Sequence, residues 1–265
     1  MPTRTSPARR GFAPLVWCYV ALVLAFLYVP LIPPILFSFE TGAGGAGALR
    51  WYAQLWRNPI LTSSMITTVK IGIIVAIATT LLGLAAAMAI RELRAPRLVL
   101  LLMLLPVFIP GVSMGLATAF FFRQLGLAPS LLTIAIVQVL WALPFATLIV
   151  LTAMSSFDPV YLEAAYMSGA NRRRAFLDVE LPLIWPGISG AATFSLILSF
   201  NETIRTAIVQ GPYNTVQTYI WSTYKQIGLS PTLYALMSLL ILLTLALVAA
   251  SLLAGARRAA SLRAE

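Results

Sequence analysis

Long apolar runs, separated by short charged stretches, set the pattern of the chain. Uncharged segments cover Gly11–Phe39, Ile71–Ile90, Leu98–Phe122, Gln124–Phe157, Leu181–Asn201 and Gln226–Ala256. Each is long enough for a membrane-crossing helix, which needs about 20 mostly apolar residues. Helix is the expected form because lipid offers no partner for a free backbone N–H or C=O. The second span starts before its charge-free part, since Lys70 can snorkel. The pattern therefore predicts an all-α membrane protein with spans at about 12–38, 64–90, 98–122, 130–153, 183–208 and 231–255, forming one transmembrane domain over residues 1–265. Thr206–Tyr224 is also uncharged but polar, with Gln210, Gly211, Pro212, Asn214, Thr215 and Gln217. It reads as a non-spanning segment with a helical piece.

Composition agrees. The 265 residues are 60% hydrophobic and only 10% charged, against about 25% charged in soluble domains. The mean hydropathy of +0.91 excludes disorder, which needs low hydrophobicity. The net charge of +10 would suggest nucleic acid in a soluble protein. Here its distribution gives it a topological meaning. Twelve of the 18 cations (Arg4, Arg9, Arg10; Arg91, Arg94, Arg97; Arg172, Arg173, Arg174; Arg257, Arg258, Arg263) fall on one side of a six-span map. The positive-inside rule makes that side, with both termini, cytoplasmic. No nucleic-acid partner is expected. The basic N-terminus fits a signal peptide, but the apolar run is too long and Pro30, Pro33 and Pro34 sit where cleavage would occur, so an uncleaved first helix is expected.

Chemical equipment is sparse. There is no His, and Cys18 is the single cysteine. That removes His-based acid–base catalysis, Cys/His zinc sites and intramolecular disulfides. No catalytic residue, metal ligand or cofactor is expected. Thr41–Gly47 is glycine-rich but lacks the Gly-Lys-Ser/Thr ending of a phosphate loop, and neither Lys70 nor Lys225 follows such a loop. Pro106, Pro110 and Gly111 in the third span and Pro144 in the fourth free backbone groups that neighbouring helices must satisfy.

The longest connection on the basic side, 154–182, carries the strongest signal. Asp158-Pro159 is a helix start, Ala164 and Ala165 favour helix, and Gly169 is a C-terminal stop. A two- to three-turn helix outside the bilayer follows. On physical grounds alone it could equally rest on lipid headgroups, held by Arg172–Arg174. Glu163-Ala164-Ala165, Gly169 and then Leu181-Pro182 resemble the EAA signature of bacterial ATP-binding-cassette importer permeases. The resemblance covers roughly residues 60–255. It is nearest the smaller membrane subunit of the spermidine/putrescine type, through Leu104–Gly111, Leu143-Pro144-Phe145, Ser199–Thr203 and Ile227–Pro231.

The resemblance implies a type I importer permease in the bacterial inner membrane, working by alternating access. Its implied partners are a second homologous permease, two cytoplasmic ATPases that bind the ATP and Mg, an extracytoplasmic binding protein and membrane lipid. Glu163, Ala164, Ala165, Gly169, Leu181 and Pro182 would couple the chain to an ATPase, and the chain itself would be no enzyme. The solute would be polyamine-like or another organic amine; phosphonate, iron or another small molecule is the alternative. A stand-alone secondary transporter or channel would explain the spans but not the EAA loop.

Ser199, Asn201, Glu202, Thr203 and Arg205 are the candidate pathway residues. Glu202 is the acid nearest the core of a span, where an ionisable group is costly and a functional candidate. Arg205 lies three residues on, on the same helix face. Two readings stand: Glu202 contacts a cationic solute, or it neutralises Arg205.

Overall fold

The computed structural model describes residues 8–39, 49–93 and 96–261. The glycine-rich Thr41–Gly47 stretch and the cations Arg4, Arg94 and Arg263 lie outside the described residues, as do the side chains of Arg9, Arg10, Arg257 and Arg258. Every regular element among the described residues is helical: α1 Ala8–Tyr28, α2 Ile32–Phe37, α3 Arg50–Arg57, α4 Pro59–Glu92, α5 Pro96–Leu104, α6 Gly111–Gln124, α7 Leu131–Ser155, α8 Val160–Met167, α9 Arg172–Arg174, α10 Leu181–Asn201, α11 Ile204–Val209, α12 Val216–Ile227 and α13 Pro231–Ser261. Five helical stretches are long and apolar enough to cross a membrane, and six if the bent pair α5/α6 is one span.

The spans differ from the expected ones where proline or a polar cluster intervenes. Residues 98–122 are not one straight helix. Pro106 sits in a 3-10 turn, Pro110 is the N-cap of α6, and the two arms meet at 99°. Neither proline has an N–H to carry the helical ladder across this point. Residues 183–208 are also interrupted, because α10 ends at Asn201 and Glu202 is extended. A 3-10 turn at Val29–Leu31, with Pro30 in its first turn, splits the first span. Thr206–Tyr224 is non-spanning, holding the end of α11, a turn and most of α12.

Contacts divide the chain into two compact units. One is built from residues up to Leu55 with Leu229–Leu243, the other from Trp56–Gly228 with the chain from Thr244 on. The first is closed by its own polar contacts: the Tyr52 hydroxyl lies 2.8 Å from that of Ser38 and 2.7 Å from that of Ser238.

The second unit is organised around α4, α7 and α10. Two apolar clusters form its core. Ile71, Val75, Ile134 and Val137 belong to one, and Ala87, Ala146, Val150, Ile184 and Ala191 to the other. Lipid is as apolar as these side chains, so helix association relies on close packing and hydrogen bonds, which favours small residues at the crossings. Gly83 marks a close α4–α7 approach: a Cβ there would lie 3.1 Å from the Thr147 backbone nitrogen. Two hydroxyls in the middle of α4 return to their own helix, Thr79 donating to the Val75 carbonyl and Thr80 to that of Ala76, both at 2.6 Å. A polar residue thus costs little in the bilayer. The α12 helix is tied to α4 twice, by the Val216 N–H donating to Thr68 Oγ1 at 2.8 Å and by Asn58 Nδ2 donating to the Tyr219 hydroxyl at 3.1 Å.

Candidate functional site

The connection between α7 and α10 is a built structure. Pro159 is the N-cap of α8 and Asp158 Oδ1 accepts from the Val160 N–H at 3.0 Å, so the helix begins one residue later than the Asp-Pro pair suggests. At its other end Gly169 has φ +83, where a Cβ is unfavourable. The Ala170 N–H donates to the Ala165 carbonyl and the Gly169 N–H to that of Tyr166, each at 3.0 Å, closing the helix in the manner of a Schellman turn. Asn171 then caps the next turn by accepting from the Arg174 N–H at 2.9 Å. A π-helical stretch, Ala175–Glu180, leads into α10, whose first two residues are Leu181 and Pro182.

Two ion pairs fix this connection to the end of α4. Arg91 holds the Glu180 carboxylate, which is only 2% exposed, and Arg172 pairs with Glu92. Neither pair was singled out from sequence, although Glu180 directly precedes the Leu181-Pro182 element. The α8 helix itself stays uncovered in this chain. Glu163, Ala164 and Gly169 are exposed, Ala165 and Leu181 half-buried, and Glu163 has no ion-pair partner among the described residues. Val160, Tyr161, Tyr166 and Met167 present apolar surface outward, Met167 at 89% exposure.

A second polar cluster sits at the break between α10 and α11. Glu202 is 6% exposed and Arg205 8%. The Arg205 side chain donates to Glu202 Oε2 at 2.7 Å, and its backbone N–H donates to Oε1 at 2.9 Å. The guanidinium also stacks on Trp141 of α7, 3.8 Å from the ring centroid, a cation–π arrangement. Gly111, at the start of α6, leaves room beside it: a Cβ there would meet the guanidinium carbon at 3.4 Å. One step along α7, Gln138 receives a 2.5 Å hydrogen bond from Ser199 and donates to Thr206 at 2.8 Å. Gln138 thus ties α7 to both sides of the break.

Of the candidate pathway residues, the structure brings together Ser199, Glu202 and Arg205 inside the protein. Asn201 is exposed and donates to the Ile197 carbonyl at 2.8 Å, and Thr203 is half-buried. The sequence reading missed Trp141 and Gln138. Gln138 did leave a signal, being the one amide within the 130–153 span.

Residues 80–259 match the family described as the binding-protein-dependent transport system inner membrane component. The chain belongs to this family. The permease is 27% identical over 240 residues to the spermidine/putrescine transport system permease protein PotC of Escherichia coli (strain K12), covering 88% of this chain and 90% of that one. Its fold is similar to that of a bacterial ABC transporter involved in import of the acidic polysaccharide alginate, with a TM-score of 0.72 at 15% identity, covering 94% of this chain and 98% of that one. A second structure, the alginate ABC transporter in complex with an alginate pentasaccharide-bound periplasmic protein, aligns with a TM-score of 0.69 at 18% identity over 92% of each chain. The permease is therefore a multi-pass inner-membrane protein of the ABC importer permease family. The helices crossing at α4, α7 and α10 are its own embodiment of that fold.

Proposed function

We propose that the permease forms half of the translocation pathway of an ATP-driven importer, and that α8 is the seat of a cytoplasmic ATPase subunit. The observation that carries this reading is the state of α8: a short helix with outward apolar side chains, held in place by Arg91–Glu180, Arg172–Glu92 and the Gly169 turn. A rigid, uncovered apolar helix is suited to transmit force to a partner. Glu163 is free to meet a cation on that partner, and Ala164 and Ala165 allow close approach. ATP and Mg are bound by the ATPase subunits, and a second permease and an extracytoplasmic binding protein complete the assembly. The termini and the 154–182 connection face the cytoplasm, as the distribution of cations supports.

The solute in this reading is a polyamine or another organic amine, supported by the similarity to a permease named for spermidine and putrescine. One observation favours a different solute. Glu202 is occupied by Arg205 from both its side chain and its backbone, so it offers no free carboxylate to a cation. Co-expression with candidate ATPase, second permease and binding-protein partners, followed by uptake of radiolabelled spermidine and putrescine, decides between the two. Failure of the ATPase to co-purify would overturn the coupling role itself, whatever the solute.

A further inference from the structure

A cavity of about 570 Å³ opens along the first three turns of α4, away from both clusters described above. Thr62, Ser63, Ile66, Thr67 and Lys70 line it from one stripe of α4. Trp56 and Arg57 from the end of α3 and Tyr213 from the turn before α12 complete the wall. Two cations enter this cavity and no acid lines it. Neither Arg57 nor Lys70 has an ion-pair partner among the described residues. Lys70 is the twelfth residue of α4 and exposed, so its ammonium can extend along the helix into this cavity towards Arg57. Thr67 is 7% exposed and is the one buried residue among those of α4 that line the cavity.

We infer that this cavity binds a phosphate-bearing anion. An arginine fork and a lysine supply charge, and the Ser63, Thr67 and Tyr213 hydroxyls supply further donors, which is the chemistry that cradles phosphate oxygens. Trp56, Ile66 and Leu131 give the cavity an apolar side, against which a glycerol or acyl segment could lie. The phosphate can come from an anionic lipid headgroup or from the aqueous phase. The inference does not depend on which solute the importer carries.

The test uses the full chain in nanodiscs. One arm uses mixed phosphatidylglycerol and phosphatidylcholine, with retained lipid counted by mass spectrometry after detergent extraction. The other uses phosphatidylcholine alone, with inorganic phosphate titrated against the thermal unfolding midpoint. A cation at an anionic headgroup contributes roughly a fivefold preference. The wild type should therefore retain phosphatidylglycerol at least about fivefold over phosphatidylcholine, and the double variant Arg57→Gln/Lys70→Gln should lose that preference. Retention without a phosphate effect assigns the site to lipid. A phosphate-dependent rise in midpoint, absent from the double variant, assigns it to the free anion. Thr67→Val, nearly isosteric, should weaken either signal in a folded protein even if the double variant fails to fold. A wild type with neither lipid preference nor phosphate response overturns the inference, as does a folded double variant that behaves like the wild type.

Discussion

At the scale of single residues, the Glu202–Arg205 pair decides most. Two charges held within 9% exposure stabilise each other only while both are present. Glu202→Gln leaves the Arg205 guanidinium buried against Trp141 without its anion. Breaking such a pair costs about 3–5 kcal/mol, whereas removing both members is often nearly neutral. Glu202→Gln should therefore lower the unfolding midpoint in detergent, and Glu202→Gln with Arg205→Gln should recover most of it. A solute-contacting role gives the opposite pattern: stability survives the single change and transport fails in both variants. Gly169 makes a second residue-scale case. Its φ of +83 is a left-handed conformation that costs an L-residue about 1–2 kcal/mol. Gly169→Val should leave the helical bundle folded but displace α8. Transport-stimulated ATPase activity in the assembled complex reads this out, and normal activity would remove Gly169 from the coupling element. The pair at 202 and 205 was legible in sequence from its spacing, but not for the expected reason: Glu202 is extended at the break and accepts from Arg205 at the start of α11, rather than sharing a helix face with it. Its third member was not: Trp141 is distant in sequence, and nothing in the pattern of α7 says which way its indole points.

Among elements, legibility followed how much each one owes to its own sequence. The runs that became α4, α7 and α13 are predominantly apolar over a length sufficient to cross a membrane, and lipid selects for that directly. The bend between α5 and α6 was marked by Pro106 and Pro110, but proline reports a missing donor, not a direction. The end of α10 at Asn201 had no sequence marker, because the cluster around Gln138, Ser199 and Thr206 comes from three helices. Gln138→Leu should thus be felt on both sides of the break. It leaves the Ser199 and Thr206 hydroxyls without their amide partner, at about 1–3 kcal/mol for buried groups left unpaired. Reduced thermal stability of the purified protein is the expected result; an unchanged midpoint would mean the amide ties nothing together. Helix crossings give a matched pair of substitutions. At Gly83 a Cβ would press on the α7 backbone at 3.1–3.2 Å, which cannot rotate away, whereas at Gly190 the nearest atom is an Ile149 methyl at 3.8 Å. Gly83→Val should reduce the yield of folded protein sharply and Gly190→Ala should leave it near wild type, as judged by monodisperse elution.

For the whole molecule, orientation follows from charge rather than from contacts. Reporter fusions after Arg97 and after Ala256 should give cytoplasmic signals and one at Gly45 an external one. A cytoplasmic signal at Gly45 would invert the map and place α8 on the wrong face for an ATPase. The uncovered α8 carries a further consequence, for the life of the protein in the cell. Met167, Val160 and Tyr161 are exposed in the chain by itself, and under the proposed docking role they stay so on any copy without its ATPase partner. Such a copy displays the kind of greasy handle that membrane-bound proteases and chaperones grip. If α8 is the seat proposed above, copies made in excess should be removed, and the standing level of this chain should track the supply of the partner that caps α8. Raising synthesis of the permease alone would change its turnover, not its abundance.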